Sequence, residues 1–522
     1  MVRSLSKPIP KGLLLAALAV AAAVVLPLVY LLLRASEARG DQLGEIVFRA
    51  RNLGLLGNTL LLLAGVVACS TALAVPLAWL TSRSDLKNRR LWTLLLTLPL
   101  AVPGYVGVYG LFGASGAGGW MNQLLGFGLP RPSGYWGAVA VLTLFTYPYL
   151  FLNLRAALLG LDPSLEESAQ SLGYRRWAVF WRVVLPQLRP ALYAGWLLVG
   201  LHVLGDFGVV SLVRFETFSY AIYQQYSSAF DRVYAAWLSL MLIALTLSLL
   251  WLESRLMRNM ALSRTGLGSS RKTRPIALGA WAWPAHALLL LPLVAALVIP
   301  LTSIVYWVVR LPPDYFNGVS GILEALRNSA QAAGLAALLA VVLATPMAYL
   351  GVRYPSRLGR TLERIAYVGY ATPPLAFALA LVFFSLRGVP FLYQTLALLV
   401  VAYALHFLAE AIGPLRSALY QAPSRLEEAA RSLGYGAVQA FLRATFPLLQ
   451  RGLMASLALV FVSAVKELPL TFLLAPTGAS FLSTRVWGYT AEAQFAEAAP
   501  YALLIVLFSA CFVGLLLTQE KR

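Results

Sequence analysis

The chain is poor in the residues from which soluble active sites are built. Only two cysteines and three histidines occur in 522 residues. Cys69 and Cys511 each sit inside an apolar run with no partner near in sequence. This argues against a disulfide framework or a thiolate metal site and leaves both as small hydrophobes. His202, His286 and His406 stand singly, so a histidine metal centre has little material; His202 and His406 read as packing residues. No G-x-x-x-x-G-K-[ST] phosphate loop occurs anywhere. Neither does a Ser/His/Asp or paired-carboxylate arrangement placed for hydrolysis in a soluble pocket. Charged residues make up only 12% of the chain, which excludes a water-soluble protein of this size.

What fills the chain instead is apolar: 60% of residues are hydrophobic, and the mean hydropathy is +0.75. A membrane-spanning helix needs roughly 20 apolar residues. Runs between charges predict twelve, near 12–33, 55–80, 91–113, 135–159, 189–213, 233–252, 281–309, 328–351, 364–386, 392–415, 452–475 and 498–518. The expected fold is an all-α polytopic membrane protein. The first run is too long for a signal-peptide core and is kept as an uncleaved span. Basic residues alternate between loops. Arg83, Lys87, Arg89 and Arg90 lie in one, Arg255 to Arg274 supply six in another, and Arg353, Arg357, Arg360 and Arg364 lie in a third. Loops of the opposite set are poor, with Arg131 alone in one and Arg387 alone in another. Positive loops stay cytoplasmic, which puts both termini inside. The formal charge of +20 is thus a topology signal with anionic-lipid contact as a secondary effect. No basic stripe interleaved with exposed aromatics points to nucleic acid.

The sequence repeats itself once. Residues 165–174 and 426–435 differ only at Ser168/Ala429 and Gln170/Arg431, and Pro186 then matches Pro447 at the same offset of 261. Asn58-Thr59 corresponds to Asn328-Ser329, and Pro103 to Pro373, at an offset near 270. Each copy holds an even number of spans, so the two six-helix repeats are parallel and should pack about an axis along the membrane normal. The organisation read from this is a first half over 1–253, a polar, basic linker over 254–280, and a second half over 281–522.

Both repeated segments fall in a loop on the basic face, at 161–188 and 420–449. Each reads as a short helix, a glycine stop at Gly173 or Gly434, and a second helix ending at Pro186 or Pro447. An ordinary capping box would explain Glu167, three residues after Ser164. It fails in the second copy, where the matching spacing runs from Ser424 to Glu427 while the counterpart of Glu167 is Glu428. A partner-docking surface accounts for both.

These residues resemble the signature loop of importer-type ATP-binding-cassette permeases. Glu167-Ser168-Ala169, Gly173, Val183 and Leu185-Pro186 match it with serine for one alanine; Glu428-Ala429-Ala430, Gly434 and Pro447 match it in the second half, where Ala444 and Phe446 depart. The resemblance implies a type I importer permease whose loops insert coupling helices into two copies of an ATPase subunit. It also implies that ATP is bound there, not by this chain, and that an external binding protein delivers cargo at the opposite face of a cell (inner) membrane. Leu204 to Ser211, Lys466 to Thr471 and Thr484-Arg485-Val486 look like the ferric-iron subfamily of fused permeases. Thiamine permeases share the fused design and are the alternative cargo class.

The offset of 261 also sets Asp206 on Glu467, at the expected outer ends of two spans. Ionised groups within spans mark pathways, and paired hard oxygen ligands suit a hard cation. Pro103 and Pro373 break matching spans and could line the same path. Trp92, Trp136, Trp181, Trp487 and Tyr489 read as interfacial anchors.

Overall fold

The computed structural model describes residues 9–38, 44, 49–229, 231–258, 275–312 and 319–519. Among them every regular element is helical. Twelve helical spans can be followed: α1 (Lys11–Ala35), α2 (Ala50–Arg83), α3 (Arg89–Ala101 with Gly104–Ala114), α4 (Gly134–Gly160), α5 (Trp177–Gly205) and α6 (Arg232–Arg258), then α7 (Gly279–Val309), α8 (Val319–Arg353), α9 (Arg357–Ala371 with Pro374–Gly388), α10 (Leu396–His406 with Leu408–Gln421), α11 (Ala437–Lys466) and α12 (Phe495–Gln519).

Proline breaks α3 and α9 as expected, and sharply. The two segments of α3 meet at 95° and those of α9 at 103°. Proline forces its predecessor out of the helical region and brings no N–H to the ladder. Val102 (ψ 121°) and Thr372 (ψ 128°) are accordingly extended. A third bend, of 52°, divides α10 between His406 and Leu408.

Pro186 and Pro447 behave differently from the sequence expectation. Neither ends a helix. Phe180–Val184 and Phe441–Thr445 form π turns immediately before them, and the chain runs on as the continuous spans α5 and α11. A π turn displaces the hydrogen-bond register by one residue and so absorbs the donor that proline lacks. The second helix of each docking segment is therefore the start of a span. Those spans also stop earlier than hydropathy suggests, at Gly205 and Lys466, each followed by a break and a short helix, Gly208–Leu212 or Pro469–Leu474.

The two repeats exchange their first helices. α1 packs against α8 and α9 of the second repeat, and α7 packs against α3 and α12. Gly110 permits this approach on α3, since a Cβ there would fall 2.4 Å from the Pro300 Cα of α7. Within each repeat the long helix (α2 or α8) lies against the pair that follows the broken span, α4 and α5 or α10 and α11. Of the linker 254–280, residues 259–274 lie outside the described residues. Its far end pairs with the end of α2: Ile276 N–H donates to Arg83 O at 2.8 Å and Asp85 N–H to Ile276 O at 3.0 Å.

Candidate functional site

Two features related by the internal repeat concentrate the polar chemistry: a cavity at the helix breaks and a pair of docking helices at the basic end.

The cavity encloses about 250 Å³ and is lined from both repeats, by Pro103, Tyr149, His202 and Asp206 from one and Pro373, Glu410, Ser463, Lys466 and Glu467 from the other. All four residues read as a path from sequence, Asp206, Glu467, Pro103 and Pro373, thus meet around one space. Gly104, just past the break in α3, would carry a Cβ 3.7 Å from an Asp206 carboxylate oxygen.

Each acid also caps the short helix after it. Asp206 Oδ1 accepts from Val209 N–H at 2.9 Å and Val210 N–H at 3.3 Å. Glu467 Oε1 accepts from Leu470 N–H at 3.3 Å. Capping uses one oxygen of each and leaves the charge facing the cavity.

Glu410 and Lys466 were not singled out from sequence as cavity groups. Glu410 lies in the second segment of α10 and accepts from Ser463 Oγ at 2.7 Å. Lys466 Nζ donates to Leu100 O at 3.4 Å, joining the repeats. The offset of 261 sets Tyr149 against Glu410 and His202 against Ser463, so a carboxyl and a hydroxyl in the second repeat stand where the first has aromatic rings. His202 and His406 both line the cavity, His202 with its ring 5.7 Å from that of Tyr149 and His406 buried against Phe377 and Phe407. Among the described residues no three of His, Cys, Asp and Glu converge to hold a metal ion.

An aromatic cluster adjoins the cavity through Phe207. Phe207, Tyr223, Phe472 and Trp487 contact one another at centroid distances of 4.9 to 6.2 Å. Trp487 Nε1 donates to Ser211 Oγ of the other repeat at 2.9 Å. Trp487 is thus an inter-repeat contact and not an interfacial anchor.

The docking helices are Pro163–Ser171 and Ser424–Ser432. The capping box is absent in both. Asp162 caps the first helix by accepting from Ser164 N–H at 3.0 Å, and the second has no side-chain cap. Gly173 (φ 87°) and Gly434 (φ 90°) are left-handed, as predicted. The same bond closes both turns, from Tyr174 N–H to Ala169 O and from Tyr435 N–H to Ala430 O. Glu167, Ser168, Glu428 and Ala429 face solvent, Ala430 is half-buried and Ala169 is buried; Pro186 is half-buried and Pro447 exposed. Leu172 is 78% exposed and its counterpart Leu433 79%. Both leucines follow otherwise polar helices.

The glutamates one residue earlier turn inward. Glu166 pairs with Arg83 at 2.9 Å. Burial pushes its carboxyl above the usual range, and the Arg83 guanidinium opposes that rise. Glu427 is buried and accepts from Tyr349 Oη at 2.5 Å, Arg431 Nη2 at 2.9 Å and Thr445 Oγ1 at 3.1 Å. The doubled Glu-Glu in both copies was the signal available in the sequence.

Residues 70–261 and 339–522 each match the family described as the binding-protein-dependent transport system inner membrane component. The chain is 34% identical to the Fe(3+)-transport system permease protein FbpB 2 of Haemophilus influenzae, over 94% of this chain and 95% of that one. Shorter matches include the molybdenum transport system permease protein ModB of the same organism, 35% identical over 27% of this chain and 62% of that one. The sulfate transport system permease protein CysT of Escherichia coli is 29% identical over 36% of this chain and 69% of that one.

Proposed function

The chain belongs to the family of binding-protein-dependent transport system inner membrane components, and on that premise we propose that it carries ferric iron through the membrane for an ATP-driven importer. The observation that carries the coupling is the pair of docking helices. They recur at one sequence offset, with left-handed glycines and matched exposed leucines, and so suit two copies of one ATPase. The chain has no phosphate loop of its own, so ATP is hydrolysed on those partners. ATP-driven closure of the ATPases pushes the two docking helices and rocks the halves, 1–253 and 281–522, about the central cavity. A binding protein docks at the opposite face. Iron as cargo is supported by the near full-length likeness to an Fe(3+)-transport permease.

Purified alone, the chain is expected to hydrolyse no ATP. In proteoliposomes with its ATPase, hydrolysis should rise when iron-loaded binding protein is added on the binding-protein side. Stimulation by thiamine-loaded and not iron-loaded binding protein would overturn the cargo while keeping the machine.

The basic loops place the docking helices and both termini in the cytoplasm. With Cys69 and Cys511 replaced by alanine, a cysteine at exposed Lys87 or Arg357 should be shielded from an impermeant thiol reagent in intact cells, and one at exposed Ser133 should react. Labelling in the reverse pattern would invert the orientation.

A further inference from the structure

We propose that Glu166 and Glu427 are positioning residues that latch each docking helix to the basic end of its own repeat's long helix, while the adjacent Glu167 and Glu428 lie on the exposed face offered to the ATPase. The inference rests on the reading that these segments dock an ATPase, and it divides the doubled glutamates between two tasks. Successive residues on a helix point about 100° apart, so neighbouring carboxylates cannot serve one partner. Glu167 and Glu428 face solvent, while Glu166 and Glu427 face the permease.

The two latches differ in construction. In the first repeat the Arg83–Glu166 pair joins the last residue of α2 to the docking helix, with side chains 2% and 13% exposed. Breaking a buried pair of this kind is costly, which is why it holds two elements in register. In the second repeat Tyr349 stands one turn before the end of α8, and Thr445 belongs to the π turn of α11. Glu427 therefore ties the docking helix to two spans at once. Arg353, at the end of α8, donates to Ala422 O at 2.9 Å, just before the docking helix.

The long helices carry displacement onward. α2 packs on α4 and α5, which supply Tyr149 and His202 to the cavity. α8 packs on α10 and α11, which supply Glu410 and Lys466. Each docking segment already continues into α5 or α11; the latch adds a second route, through the rigid rod of the long helix.

The test uses the full complex of permease, ATPase and binding protein in proteoliposomes, with iron(III)-loaded binding protein as the probe. In Glu166→Gln and Glu427→Gln the ATPase should copurify and basal hydrolysis should persist. Iron taken up per ATP hydrolysed should fall about tenfold, the signature of lost coupling and not of lost binding. The exchange Arg83→Glu with Glu166→Arg should recover roughly half of that loss, because the two residues act as one unit. Unchanged uptake per ATP in both glutamine variants would overturn the proposal, and so would loss of ATPase copurification from Glu166→Gln. If a glutamine variant fails to accumulate in the membrane, the exchanged pair decides: accumulation with coupling supports the latch, and accumulation without coupling contradicts it. A wild-type complex that retains no ATPase would instead overturn the docking reading itself.

Discussion

Replacing Gly173 or Gly434 with aspartate is expected to abolish ATP-driven uptake while leaving the chain folded in the membrane. Both glycines are left-handed, a conformation that costs an ordinary L-residue about 1 to 2 kcal/mol. A side chain at either position meets nothing within 4 Å, so there is no clash to add to that cost. Aspartate is among the residues that tolerate this region best, and the span that follows is anchored by its own packing. The damage is instead at the contact. Each glycine sits beside an exposed leucine, Leu172 or Leu433, on the surface offered to the ATPase, and a carboxylate there must be desolvated when the partner docks. Copurification of the ATPase with each variant, measured beside membrane abundance, checks this. Normal abundance with lost copurification or lost transport-coupled hydrolysis is the expected result, and normal transport by both variants would contradict the docking assignment.

The second large effect concerns the cavity acids. Asp206→Asn and Glu467→Gln each keep an oxygen to cap the following helix but remove the charge, so local structure should survive. Uptake should fall about tenfold in each, equivalent to about 1.4 kcal/mol in the barrier. The double variant should cost less than the sum of the two because both carboxylates act on one passing ion. Basal hydrolysis and binding-protein docking should stay intact, separating a defect in the path from one in folding. Full uptake by the double variant would reduce both acids to helix caps and weaken ferric iron as the cargo.

How much of this was legible before the fold depended on range. Gly173 and Gly434 were readable as left-handed stops because the requirement is local, and the breaks at Pro103 and Pro373 followed from proline's missing donor. Pro186 and Pro447 carry the same chemistry, yet the helices continue, since a π turn upstream re-registers the ladder and leaves no mark in composition. The end of α5 was placed too late because the apolar residues after Asp206 look like more of the same span, when they form a separate short helix. Glu410 was hidden as one acid in an apolar run, and its partner Ser463 lies 53 residues away. The exchange of α1 and α7 between repeats is tertiary and has no local signature. The inward turn of Glu166 and Glu427 was half-visible: the doubled acids were plain, but which one faced the protein depended on Arg83 and Tyr349, far away in sequence.

The central claim is that this chain moves ferric iron only when separate ATPase subunits drive it through the docking helices. The most direct measurement is iron accumulation inside proteoliposomes holding the permease and its ATPase, with iron-loaded binding protein on the binding-protein side and ATP on the docking-helix side. Accumulation that requires ATP, binding protein and ATPase together is the expected result. Iron entry at the same rate without ATP or without the ATPase would contradict the claim and make the chain a carrier or channel working alone.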